Sequence, residues 1–248
     1  MTTCTYSFCL RAGHFALCTS FLLLLLVVPS LAQNLQGGAD FLIGVPQGAF
    51  RDNVNRSGFG ITGNIGLAPA GSVFMVGVEV GFMNYGSEKR RESFSTTIPD
   101  VTVDVETEND FALGHLFLRI QPNAGLIRPY LEGAIGGNYL FTKTSIRNTG
   151  GGGEEVASST NLYDAAFSYG GGAGVLVRLV EYDTEGSRGD NGPFKELLLD
   201  VRCRYLKGSE AEYLKEGSIR RVAGRVVYDV NKSETSLLTF QIGISVRF

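Results

Sequence analysis

The chain has 248 residues, with Lys plus Arg 22 against Asp plus Glu 25, and the formal net charge of −3 offers no basic surface for nucleic acid. Glycine is abundant at 33 residues, tryptophan is absent, and Phe and Tyr make up 10% of the chain. Beyond residue 32 no apolar run reaches the ~18 residues of a membrane helix, so a mature chain that spans a membrane must do so as a closed barrel, which leaves no backbone group unpaired in hydrocarbon.

Residues 1–32 have the layout of a secretory signal peptide. Arg11 precedes an apolar stretch dominated by residues 21–28 (FLLLLLVV), and Ser30 and Ala32 are the small residues before a cut near Gln33. An uncleaved anchor is disfavoured, because the run falls short of the roughly 20 residues needed to span a bilayer. Cys4, Cys9, Cys18 and His14 would leave with the leader, so Cys203 and His115 stand alone in the mature chain and no intramolecular disulfide is available. Leu17 before Cys18 does not fit a lipoprotein signal.

The expected mature domain, 33–248, divides into eight segments of apolar–polar alternation. They are residues 39–47, 57–68 (SGFGITGNIGLA), 73–85 (VFMVGVEVGFMNY), 110–121 (DFALGHLFLRIQ), 127–141, 166–180, 196–206 (ELLLDVRCRYL) and 235–248. Connections after the second and fourth are short and rich in Pro, Gly, Asn and Ser (PAGS, PNAG), whereas those after the first, third, fifth and seventh are long and polar. One rim of short turns and one of long loops is the pattern of an antiparallel up-and-down transmembrane barrel. Residues 181–195 (EYDTEGSRGDNGPFK) depart from it, being long where a short turn belongs.

Period two cannot say which face looks outward, since a lipocalin-like soluble barrel alternates in the same way. The polar face decides. It carries Gly60, Thr62, Asn64 and Gly66, then Ser168, Gly170, Gly172 and Gly174, while the mature lysines all fall at strand ends or in loops. By parity Asp40, Glu79, Glu132, Asp200 and Glu196 share this face with Arg119, Arg128, Arg178, Arg202, Arg204 and Arg247, and with His115 and Tyr130. Near balance of the two signs suits a closed interior bridged by guanidinium groups, so we expect a plugged lumen. Phe41, Ile61, Val78, Leu118 and their neighbours form the opposite, lipid-facing set, with Tyr139, Phe141, Phe167, Tyr169 and Tyr205 as a candidate aromatic girdle.

The last strand ends in LLTFQIGISVRF, where Phe240, Ile242, Ile244, Val246 and Phe248 alternate with polar residues up to a terminal aromatic. With the leader, this resembles small bacterial outer-membrane β-barrels of the OmpA/OmpX type, over essentially the whole chain from residue 39 onward. The resemblance implies an eight-stranded all-β barrel with long extracellular loops in the bacterial outer membrane. It further implies that those five alternating residues form the signal read by the barrel-assembly machinery. Outer-membrane lipid, lipopolysaccharide and periplasmic chaperones are the partners it implies.

Enzymatic readings find little support. Some outer-membrane barrels are lipid-modifying enzymes using a His with Ser or Asp, but His115 is mid-strand on the inward face. The run GGGAG at residues 170–174 lacks the third glycine and the helix of a dinucleotide loop, no metal-ligand spacing occurs, and Cys203 falls on the lipid side. We therefore expect a non-enzymatic envelope or surface-interaction protein without cofactors, against the alternative of a narrow pore or laterally opening transporter. Two loop clusters, Lys89, Arg90 and Arg91, and Arg220, Arg221 and Arg225, are candidate contacts for anions such as lipopolysaccharide phosphates.

Overall fold

The computed structural model describes residues 32–93, 102–148, 155–182, 194–222 and 225–248. The expected leader lies outside the described residues, apart from Ala32, which begins the first strand. In chain order the elements are β1 (Ala32–Pro46), the helical turn α1 (Ala49–Val54), β2 (Gly58–Pro69), β3 (Phe74–Ser93), β4 (Thr102–Ile120), β5 (Ile127–Asn148), β6 (Glu155–Glu181) and β7 (Glu196–Gly208). Four short strands follow, β8 (Glu210–Tyr213), β9 (Ile219–Val222), β10 (Arg225–Tyr228) and β11 (Asn231–Glu234), and then β12 (Leu237–Arg247).

Eight strands close into a barrel in the order β1-β12-β7-β6-β5-β4-β3-β2, every neighbour antiparallel. Each alternating segment of the sequence overlaps one wall strand. Closure is made between the first and last strands, with Gln36 opposite Arg247 and Val45 opposite Leu238. The short turns are tight for local reasons. Ser72 donates its N–H to Pro69 O at 3.0 Å beside Gly71 at φ 70°, and Gly125 at φ 117° lets its carbonyl accept Arg128 Nε at 2.9 Å.

At the long-loop rim, β3 to β6 run on beyond the barrel as a projecting sheet. β3 and β4 pair up to Ser93 opposite Thr102, and β5 meets β6 up to Arg147 opposite Glu155. Bulges at Asn84/Gly86, Thr142/Lys143 and Ile146/Arg147 mark where the wall gives way to this rim. At the opposite end, residues 183–193 of the 181–195 connection lie outside the described residues, and its base is closed: Tyr182 N–H donates to Lys195 O at 2.9 Å and the Tyr182 and Phe194 rings meet edge to face at 5.2 Å.

Burial is inverted relative to a soluble protein. The largest fully buried side chains include Arg119, Arg128, Arg202 and Arg204, while Phe41 is 70%, Val80 65% and Phe59 64% exposed. Such an arrangement is stable only where hydrocarbon surrounds the wall, which removes the soluble lipocalin-like alternative. Rings of Phe82, Phe141, Tyr139 and Tyr163 follow one another at 5.6–6.2 Å between centroids, and Phe167 meets Tyr169 at 6.0 Å, giving the outer belt its aromatic border.

Candidate functional site

The lumen is filled in three layers. At its centre Arg202 extends one nitrogen to Asp40 Oδ2 at 2.9 Å and to Glu79 Oε2 at 3.0 Å, and the other to Glu132 Oε1 at 3.4 Å. Arg204 bridges Glu132 Oε1 at 3.0 Å and Glu79. Arg119 donates from Nε to Glu132 Oε2 at 2.8 Å, lies 4.1 Å over the Tyr130 ring and stands 4.0 Å from Asp200, whose Oδ1 accepts the Tyr130 hydroxyl at 2.6 Å. β1, β3, β4, β5 and β7 are thus laced together across the barrel by side chains nearly without solvent contact.

Alternation explains the convergence. Asp200, Arg202 and Arg204 are spaced by two on β7, so all three point inward at successive heights. Interior glycines make the room. A Cβ on Gly174 would stand 2.4 Å from Tyr130 Cζ, and one on Gly77 2.3 Å from Phe117 Cζ, whereas the lipid-facing Gly114 has open space there. An eight-stranded barrel is only just wide enough for side chains, and Tyr130 and Phe117 take the room left by the glycines paired with them on the neighbouring strands, Gly174 and Gly77.

Near the short-turn end, Arg128 holds Glu196 with both nitrogens, at 2.8 and 2.5 Å, and Arg247 donates to Asn123 O at 2.7 Å with Glu196 at 3.5 Å. Gln36 bonds Ser245 at 2.9 Å and accepts from Gln121 at 3.0 Å. Arg178 joins this end of the network at its edge. It keeps its register opposite the inward Leu198 and lies at the short-turn rim, a quarter exposed, beside Glu181 at 2.5 Å and Glu196 at 3.6 Å, and the bulge between Arg178 and Val180 begins only beyond it.

The third layer, under the long loops, is apolar. Phe50 of α1 packs edge-on against Tyr213 at 4.9 Å and Tyr85 at 6.0 Å, over Leu42, Met83, Phe111 and Leu140. Tyr85 OH donates to Leu214 O at 3.3 Å, and Asn53 to Tyr213 OH at 2.9 Å. Alternation alone gave no sign of this cap, because Phe50 of α1 and Tyr213 of β8 come from loop elements that fold over the inward wall residues Leu42, Met83, Tyr85, Phe111 and Leu140 only once the barrel exists.

His115 does have a hydroxyl beside it: Nε2 is 3.2 Å from Ser168 Oγ. Both residues are buried in the lumen, at 3% and 0% exposure, and Nδ1 has no hydrogen-bond partner among the described residues, so no group orients the ring as a general base requires. No cluster of potential metal ligands occurs among the described residues.

The loop cations are split. Arg90 turns inward and donates to Ile219 O at 2.6 Å, Arg91 faces Asp104 at 3.3 Å, and Lys89 is exposed. Arg220 is 68% exposed with Asp229 at 3.7 Å. In the β9–β10 hairpin Arg221 stands opposite Val226 and Arg225 opposite Val222, and the side chains of both arginines lie outside what is described. Phe240, Ile242 and Ile244 face outward on β12, and Phe248, just beyond it, is exposed as well.

No protein-family model matches the chain, and no curated protein matches it significantly in sequence. Among solved structures, neisserial surface protein A aligns at 12% identity over 86% of this chain and 94% of its own, with a TM-score of 0.34. A major outer membrane protein from Thermus thermophilus aligns at 10% identity over 86% and 99%, with a TM-score of 0.37. Ail from Yersinia pestis, solved in complex with the heparin analogue sucrose octasulfate, aligns at 12% over 87% and 97%, with a TM-score of 0.31. By its own closed strand order and inverted burial, the chain is an eight-stranded transmembrane β-barrel with the architecture of the small bacterial outer-membrane proteins.

Proposed function

We propose that this protein resides in the bacterial outer membrane as a non-enzymatic barrel whose filled lumen conducts nothing and whose long loops act at the cell surface. The observation that carries this reading is the central network: Arg119, Arg202 and Arg204 with Asp40, Glu79, Glu132 and Asp200, all buried between opposite walls. An ion entering this layer would have to displace paired charges, each of which is several kcal/mol worse off unpaired. The projecting β3–β6 sheet supports the surface role, because above Ser168 the upper part of β6 pairs along only one edge among the wall strands. Residues 1–32 act as the cleaved leader, and Phe240, Ile242, Ile244, Val246 and Phe248 as the signal for the barrel-assembly machinery.

Planar-bilayer recordings test the central claim. Purified protein is expected to leave the bilayer at background conductance, and steady openings well above background would replace this reading with that of a pore.

A further inference from the structure

One residue from each basic loop cluster reaches the same place, a connection that neither cluster announces alone. The β9–β10 hairpin leans over the projecting sheet, and between them lies a cleft of about 410 Å³, lined in part by Arg90 and Arg220. This volume lies within the roughly 300–1,000 Å³ of small-molecule sites. Its floor is apolar: Val103 and Val105 of β4 with Ile146 of β5. The hairpin supplies Val226 and Tyr228 as the facing wall. Thr144, Ser158 and Ser159 add hydroxyls, and among the described residues lining the cleft there is no carboxylate.

The hairpin is held in place rather than left to drift. Arg90 Nη1 bonds Ile219 O at 2.6 Å, Glu88 Oε2 accepts Gly217 N–H at 2.8 Å, and Asp229 N–H closes the hairpin base on Ser218 O at 2.8 Å. A built cleft with an apolar floor, no carboxylate among the described residues of its lining, and two guanidinium groups at its margin, Arg90 with Glu88 at 3.8 Å and Arg220 with Asp229 at 3.7 Å behind them, is complementary to one kind of molecule. We propose that it binds a single-chain anionic amphiphile, the acyl chain lying along Val103, Val105 and Ile146 and the acidic headgroup meeting Arg220 and the hydroxyls. This rests on the surface-facing reading above and names the ligand class that the loops would take. The two like charges make an uncharged chain a poorer occupant, and a strand-like peptide would leave the apolar floor only partly covered.

The test uses the full-length protein in nanodiscs of zwitterionic lipid, titrated with a dansyl-labelled undecanoic acid, against empty nanodiscs. Saturable fluorescence enhancement above the empty discs is expected, displaced by dodecanoate but not by dodecanol. Arg220→Gln is expected to weaken binding by about tenfold, the scale of one charge-assisted contact, and Ala157→Phe, which fills the cleft, to abolish it. Each preparation is checked for the heat-dependent gel shift of a folded barrel. A protein that shifts but shows no saturable binding, equal displacement by dodecanol, or undiminished binding to Ala157→Phe would overturn the amphiphile site while leaving the barrel reading intact. Loss of the shift in the unmutated protein would instead overturn the barrel itself.

Discussion

Arg202 shows how much one residue can do inside a barrel. Its guanidinium meets Asp40, Glu79 and Glu132, from three different strands, and its side chain has no solvent contact. Replacing it by Ala leaves Asp40 without its ion pair and takes one of the guanidinium partners from Glu79 and Glu132, and Arg202→Ala is expected to destabilise the folded barrel by about 3–5 kcal/mol. Lys should restore little, because an ammonium cannot reach in the planar fork that links three acceptors. Urea titrations followed by the proportion of heat-shifted band would measure both variants, and a midpoint for Arg202→Ala equal to the parent would show the network to be dispensable. These inward residues were readable in the sequence because parity holds along an unbroken strand. Parity fails beyond a bulge: on β6 it holds as far as Arg178, opposite Leu198, and shifts only between Arg178 and Val180.

At the scale of elements, the membrane-spanning segments were legible and their extensions were not. Within the bilayer one face must be apolar, so β2 and β12 announce themselves by alternation, and β7 does so apart from its inward Leu198 and Leu206. Above it no hydrocarbon imposes an apolar face on β3 to β6, and a run such as Glu155 to Leu162 (EVASSTNL) carries no polarity pattern to mark it as strand. The turn α1 was equally hidden. It spans six residues, has no side-chain N-cap, and is held by tertiary packing of Phe50 rather than by helix propensity. Phe50→Ala is therefore expected to release the first outer loop, at a cost of about 3–5 kcal/mol to the cap, without dissolving the wall. Limited proteolysis on whole cells would show faster cleavage around residues 48–56 while the heat shift persists. A cleavage rate unchanged from the parent would mean that the Phe50–Tyr213–Tyr85 contact does not hold the loop.

At the scale of the molecule, charge and apolarity are sorted by radius. The lumen holds the arginines, the wall exposes its phenylalanines, and the loop cations gather where the wall ends. Because the central pairs are out of water, screening by salt should scarcely touch them. Outer-loop contacts such as Arg91–Asp104 and Arg220–Asp229 are open to it. The division also explains what sequence could say of function. Residues that must alternate are legible one strand at a time, whereas a cleft made by Arg90 of β3, Val105 of β4, Ile146 of β5 and Val226 of β10 exists only after closure.

That closure makes the strand order cyclic: β1 has β12 on one side and β2 on the other, like every other strand in the ring. A ring has no geometric beginning. Joining the neighbouring ends of β1 and β12 and reopening the chain in the first outer loop should give a permuted protein with the same wall and lumen. Phe248 would then be followed by the linker and β1 and would no longer end the polypeptide. If the permuted chain refolds in detergent to a heat-shifting barrel yet fails to reach the outer membrane in cells, β12 serves as a wall strand by its pattern and as an address by its terminal position. Delivery equal to the parent would place the address in the pattern alone.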